Sequence, residues 1–114
     1  MHEFGLAEGV LDAVLRRAAG RPVSRVRLRA GVRHRIDEAA MTHAFRLVAA
    51  GTGAEGALLD VVAVPARLTC RSCGRSVDTY DVFACCPGCA GAAVDVTGGD
   101  DLVLESLAYA AAAS

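Results

Sequence analysis

The sequence predicts a small mixed α/β fold, a three-stranded sheet with two helices, into which a cysteine-stapled knuckle module of ribbon type is inserted. Three observations predict it. Two stretches repeat apolar residues at helical spacing, three others read as strands, and all five cysteines fall within residues 68–97, where large apolar side chains are few. The 114-residue chain is 54% hydrophobic, enough for part of it to bury a core. With 4% aromatics and no Trp, that core must be built from Val, Leu and Ala.

The first helix is expected over residues 3–19. Phe4, Ala7, Val10, Leu11, Val14, Leu15 and Ala18 share one face. Glu3 and Glu8 near its start and Arg16 and Arg17 near its end suit the helix dipole, and Gly20 and Pro22 stop it. A strand follows at 23–30, where Val26, Leu28 and Ala30 alternate with Arg25, Arg27 and Arg29. That row of guanidinium groups reads either as a solvated sheet face or as a docking surface for an acidic partner. The second helix runs from Asp37, a plausible N-cap, to Ala50, with Met41, Ala44, Phe45 and Val48 as its stripe. Gly51 and Gly53 end it. A largely apolar strand at 57–64, interrupted by Asp60, closes at Pro65. The last strand spans 102–109. Residues 1–66, completed by 98–114, thus form the α/β domain, and 67–97 form the insert.

Charge argues against a generic nucleic-acid binder: the net value is −1. All twelve basic residues are Arg. They are unevenly spread, nine Arg against six acids in residues 1–57 and three against seven in 58–114. No apolar run reaches the length of a membrane span, and His2, Glu3 and Glu8 break any signal-peptide pattern. A cytoplasmic location is the expectation, with no membrane partner. Clustered cysteines there read as metal ligands rather than disulfides.

Cys70-Arg71-Ser72-Cys73 and Cys86-Pro87-Gly88-Cys89 are two CxxC pairs separated by twelve residues. Two residues between thiolates let a tight turn aim both sulfurs at one ion. Two such turns complete a tetrahedral S₄ site suited to zinc or a single iron. Four protein ligands leave no open position for a substrate, which favours structural zinc. About thirty residues cannot bury enough surface to fold alone, so the insert needs this staple. An iron-binding electron carrier and a redox CxxC pair are the lesser readings. Cys85 adjoins Cys86 and cannot easily share its ion. It reads as a spare, partly buried thiol, with ligand exchange or redox chemistry as the alternative.

Met1-His2-Glu3 also carries chemistry. A terminal amine, the amide nitrogen of residue 2 and the His2 imidazole can chelate one ion through fused rings, in a plane that suits Ni(II) or Cu(II). Taken alone, a His at position 2 is more often incidental. His34, in a loop, and His43, on the polar side of the second helix, read first as solvated side chains; His43 could alternatively approach the N-terminus. No acid–base pair or nucleophile constellation is evident, so no catalysis is expected.

Over essentially its whole length the chain resembles the HypA family, nickel metallochaperones of hydrogenase and urease maturation. The resemblance rests on Met1-His2-Glu3, Leu28 to Gly31, Ala44-Phe45, the stretch from Gly51 to Leu58, both CxxC pairs with Cys86-Pro87 in the second, and Gly99 to Leu104. It implies nickel held by the Met1 amine, the amides of His2 and Glu3 and the His2 imidazole. It implies zinc on Cys70, Cys73, Cys86 and Cys89. It also implies two partners, a HypB-type GTPase and the hydrogenase large subunit or its maturation complex. Phe4-Gly5, the basic Arg33-His34-Arg35 and Arg46 depart from the family pattern and bear on partner choice. The competing reading is a zinc-ribbon interaction module that binds nucleic acid or protein.

Overall fold

The computed structural model describes residues 2–81 and 85–111, with only the backbone of His2. Helix α1 is His2–Ala18 and strand β1 Val23–Gly31, followed by a short 3₁₀ turn, Val32–His34. Helix α2 is Glu38–Ala49 and strand β2 Leu58–Val64. Strands β3 (Ala66–Cys70), β4 (Ser76–Thr79) and β5 (Val94–Gly98) follow, and β6 (Leu102–Tyr109) closes the chain. Two three-stranded sheets result, ordered β2-β1-β6 and β4-β3-β5. Among the described residues no helix is long and apolar enough to cross a membrane.

The chain divides into two compact units. One holds the residues up to Arg29, Ile36–Val62 and those from Val103; the other holds Ala30–Arg35 and Ala63–Leu102. In the first unit the helical stripes become core. Ala7, Val10, Val14 and Ala18 of α1 are buried, as are Met41, Ala44, Phe45 and Ala49 of α2. Val23, Val26 and Leu28 of β1, Ala54 of the turn after α2 and Leu59 of β2 complete it. α2 begins where its N-cap allows: the Asp37 carboxylate accepts from the N–H groups of Ala39 and Ala40 at 3.0 and 3.3 Å, covering two donors the helix cannot use.

The arginine row does face away from that core, but it is neither bare nor merely solvated. Arg25 pairs with Asp60 of β2 at 3.4 Å, and Arg27 with Glu105 of β6 at 3.1 Å; Arg29 lies 3.9 Å from the same Glu105. Both acids come from strands flanking β1, so the row is a cross-strand charge ladder. Each pair is half-exposed and contributes at most about 1 kcal/mol.

The second unit contains a sheet that the sequence reading did not anticipate. β3 is its centre, antiparallel to β4 (Leu68 opposite Val77) and to β5 (Leu68 opposite Val96). Ala66, Leu68 and Cys70 point inward and are buried; Arg67 and Thr69 point out. On the outer face Arg67 donates to Ser76 at 2.9 Å and to Asp78 at 3.0 Å. The segment Gly31–His34 is laced to Val96–Asp101. Gly31 N–H donates to the Asp101 carbonyl at 2.7 Å, Arg33 N–H to the Gly99 carbonyl at 2.8 Å, and the Arg33 guanidinium to the Val96 carbonyl. A Cβ at Gly31 would lie 2.1 Å from the Gly99 oxygen, so only glycine permits this approach.

Candidate metal centre

The two CxxC segments fold as the same turn built twice. Cys70 N–H donates to the Arg75 carbonyl at 2.8 Å, and Gly74 N–H returns to the Cys70 carbonyl at 2.9 Å. Sixteen residues on, Cys86 N–H donates to the Gly91 carbonyl at 3.0 Å, and Ala90 N–H returns to the Cys86 carbonyl at 2.8 Å. Each turn needs a left-handed residue in the same place. The first uses Gly74 (φ 76°), whereas the second forces Ala90 into it (φ 59°). Outside the turn, β3 delivers Cys70 at its last residue.

These turns bring together Cys70, Cys73, Cys86 and Cys89, whose sulfurs all lie within 4.8 Å of one another. The close approaches run between the turns: Cys70 to Cys89 at 3.7 Å and Cys73 to Cys86 at 3.5 Å. An S₄ tetrahedron with metal–sulfur bonds of about 2.3 Å has edges of about 3.8 Å, so the arrangement fits a metal of zinc's size. All five cysteines are free thiols, and the separations are far beyond a disulfide bond of about 2 Å. One sulfur of each pair, Cys70 and Cys86, is buried, and its partner is exposed.

The backbone prepares these sulfurs for charge. The N–H of Cys73, aided by that of Ser72, lowers the Cys70 thiol from 9.0 to about 6 against the opposing effect of desolvation. The N–H of Cys89, aided by that of Gly88 (3.4 Å from the sulfur), lowers Cys86 in the same way. Cys89 is also pulled down by the N–H of Gly91, but its hydrogen bonds to the Cys70 and Cys86 sulfurs, with desolvation, outweigh this and push it up to about 11. Four sulfurs this close cannot all carry negative charge unless a cation lies among them.

The remaining candidates lie elsewhere. Cys85 is exposed and outside the four-sulfur group, beside a groove that includes Leu68, Tyr80 and Pro87. His34 sits in the 3₁₀ turn, with Nε2 2.7 Å from the Asp100 carbonyl. His43 is exposed on α2, next to Glu38, Thr42 and Arg46. The ligand set expected at the N-terminus falls partly outside the described residues, which exclude Met1 and the His2 side chain. What is described is its setting. α1 starts at His2, and the Glu3 carboxylate accepts from the Asp37 N–H at 3.3 Å, tying the first turn of α1 to the start of α2.

Comparison with known proteins agrees with this architecture. A family model described as "Hydrogenase/urease nickel incorporation, metallochaperone, hypA" matches residues 1–109. The hydrogenase maturation factor HypA of Rhodobacter capsulatus is 34% identical over 110 residues, covering 94% of this chain and 97% of that protein. HypA 2 of Bradyrhizobium diazoefficiens matches to the same extent. In fold, the chain is similar to the solution structure of the Ni metallochaperone HypA from Helicobacter pylori, with a TM-score of 0.62 at 23% identity over 98% of this chain and 100% of that one. These matches do not favour a zinc-ribbon module for nucleic acid. The chain belongs to the HypA family of hydrogenase/urease nickel-incorporation metallochaperones.

Proposed function

We propose that this protein carries Ni(II) at its N-terminus and passes it to a [NiFe]-hydrogenase precursor, or to urease, while zinc on Cys70, Cys73, Cys86 and Cys89 keeps the second unit folded. Residues 1–66 with 98–114 serve the nickel cargo and 67–97 the zinc. The Met1 amine, the amide nitrogens of His2 and Glu3 and the His2 imidazole hold nickel. Delivery takes place in the cytoplasm with a HypB-type GTPase and the hydrogenase large subunit, and it involves no catalysis.

The start of α1 at His2 is the observation that best supports the cargo site. The first N–H groups of a helix have no intrahelical acceptor. The amides of His2 and Glu3 can therefore lose their protons to a metal without breaking a helical hydrogen bond, and the positive end of the helix dipole favours the resulting anions. The Glu3 carboxylate accepts from the Asp37 N–H through Oε2, which turns it toward the start of α2 and leaves the backbone nitrogen of Glu3 as the donor in the chelate. An amide yields its proton only when neighbouring donors anchor the metal. His2→Ala should thus abolish nickel binding altogether, and not merely weaken it. Calorimetry with Ni(II) on wild type and His2→Ala tests this; tight binding that survives the substitution would move the site elsewhere, with His34 and His43 the next candidates.

A further inference from the structure

Arg75 makes no ion pair and no side-chain hydrogen bond among the described residues, although it is exposed and free to reach water. It nevertheless lies folded across the opposite turn. A Cβ built on Gly88 would sit 2.6 Å from the Arg75 Nε, 3.0 Å from its Cζ and 3.1 Å from its Cδ, so the guanidinium rests directly on the Gly88 backbone. The same residue's carbonyl accepts the Cys70 N–H that closes the first turn. Arg75 therefore touches both halves of the metal centre, one through its backbone and the other through its side chain. Gly88 is also the residue whose N–H points at the Cys86 sulfur, 3.4 Å away.

A cation held here without a carboxylate partner among the described residues lies against the turn that carries Cys86 and Cys89. Four thiolates around a divalent ion carry two net negative charges, and the Cys86–Cys89 turn is part of that group. Arg71, the other arginine of the first turn, is engaged instead with Asp95 at 2.5 Å. We propose that Arg75 is the charge partner of the four-thiolate zinc centre, a positioning residue that clamps the second turn onto the first and stabilises the anionic site. A Cβ at Gly88 would displace the guanidinium from this position. This inference rests on the zinc reading of the four cysteines.

The test is zinc affinity, measured by competition with a chromophoric chelator at two ionic strengths, on wild type, Arg75→Gln, Arg75→Lys and Gly88→Ala. Residues around a metal's ligands typically contribute 10–100-fold to affinity, and the exposure of Arg75 places it at about tenfold. Arg75→Gln should lose about that factor at low salt, Arg75→Lys should recover part of it, and Gly88→Ala should resemble Arg75→Gln although the arginine is retained. The deficit should shrink at about 1 M salt, where screening acts within about 3 Å; a purely steric clamp would leave it unchanged. Equal affinity of wild type and Arg75→Gln at low salt, or a deficit indifferent to salt and not rescued by lysine, overturns the proposal. Failure of wild type itself to bind one zinc would instead overturn the reading of the four cysteines.

Discussion

The two units of this protein are held together by different physics. The first buries Val14, Val26, Leu28, Met41 and Phe45 among some dozen apolar side chains drawn from two helices and a sheet. In the second, the buried apolar side chains among the described residues are Ala30, Ala66 and Leu68, joined by Cys70 and Cys86. Burying a Leu contributes about 2 kcal/mol, whereas a structural zinc centre supplies on the order of 10 kcal/mol or more near neutral pH. In the second unit, a metal on the four sulfurs would take the place that hydrophobic burial occupies in the first.

The largest effect should come from removing the staple. Stripping zinc with a strong chelator, or replacing buried Cys86 with Ser, should abolish amide protection across β3, β4 and β5 while α1 and α2 stay protected in hydrogen-exchange measurements. Cys85→Ser should keep its zinc. Phe45→Ala provides the converse: it should destabilise the first unit by about 3–5 kcal/mol and leave zinc stoichiometry at one. If chelation melts both units together, the contrast between them is broken.

This contrast was only partly legible in the sequence. Both helices and three of the strands were readable because a stripe of Val, Leu and Ala at helical spacing, or an alternation such as Val26-Arg27-Leu28-Arg29, records which side faces a core. The cysteine pairs were readable because ligand spacing follows from the reach of a tight turn. The second sheet was not. Its strands have four or five residues; β3 does alternate, Ala66-Arg67-Leu68-Thr69-Cys70, but over a run too short to mark a strand beside a metal-ligand motif, and the pairing is imposed by turns that converge on the sulfurs. Nor could the pairing of the arginine row be foreseen, since Asp60 and Glu105 reach it only through the register of the sheet. Nor does the sequence show why Gly31 and Gly99 carry no side chain: a Cβ on Gly31 would meet the Gly99 carbonyl, and one on Gly99 would meet Ala66.

The next prediction concerns acid. Zinc requires thiolates, so protons compete with it and affinity must rise with pH. Without zinc the second unit should be unfolded, and free thiols in an unfolded chain titrate at about 8.5. Each of Cys70, Cys73, Cys86 and Cys89 must therefore give up a proton to bind, and zinc affinity should fall steeply as pH drops from about 8 to about 5, as chelator competition would reveal. An affinity indifferent to pH over this range would mean that the four thiolates are not the ligands. His2→Ala should leave the zinc curve unmoved.

A smaller effect sharpens the comparison between the two turns. Ala90 adopts the left-handed conformation that Gly74 occupies at no cost, and the penalty for a side chain there is about 1–2 kcal/mol. Ala90→Gly should stabilise the zinc-bound second unit by about 1 kcal/mol, and Gly74→Ala should destabilise it by a similar amount, since nothing lies within 4 Å of the added Cβ. Local unfolding free energies from hydrogen exchange at β3 would report both. Opposite signs are the requirement; if both substitutions destabilise, the turns are not equivalent.

The central claim is that cargo and staple are separate, with nickel at the N-terminus and zinc at the four cysteines. Its most direct test is native mass spectrometry of the untagged protein and of a form extended by a few residues before Met1, each titrated with Ni(II). Extension converts the terminal amine into an ordinary amide and alters none of the four cysteines. The account predicts one zinc in both forms and one tightly held nickel only in the untagged protein. Equal nickel binding by the extended form, or loss of zinc when nickel binds, would contradict it.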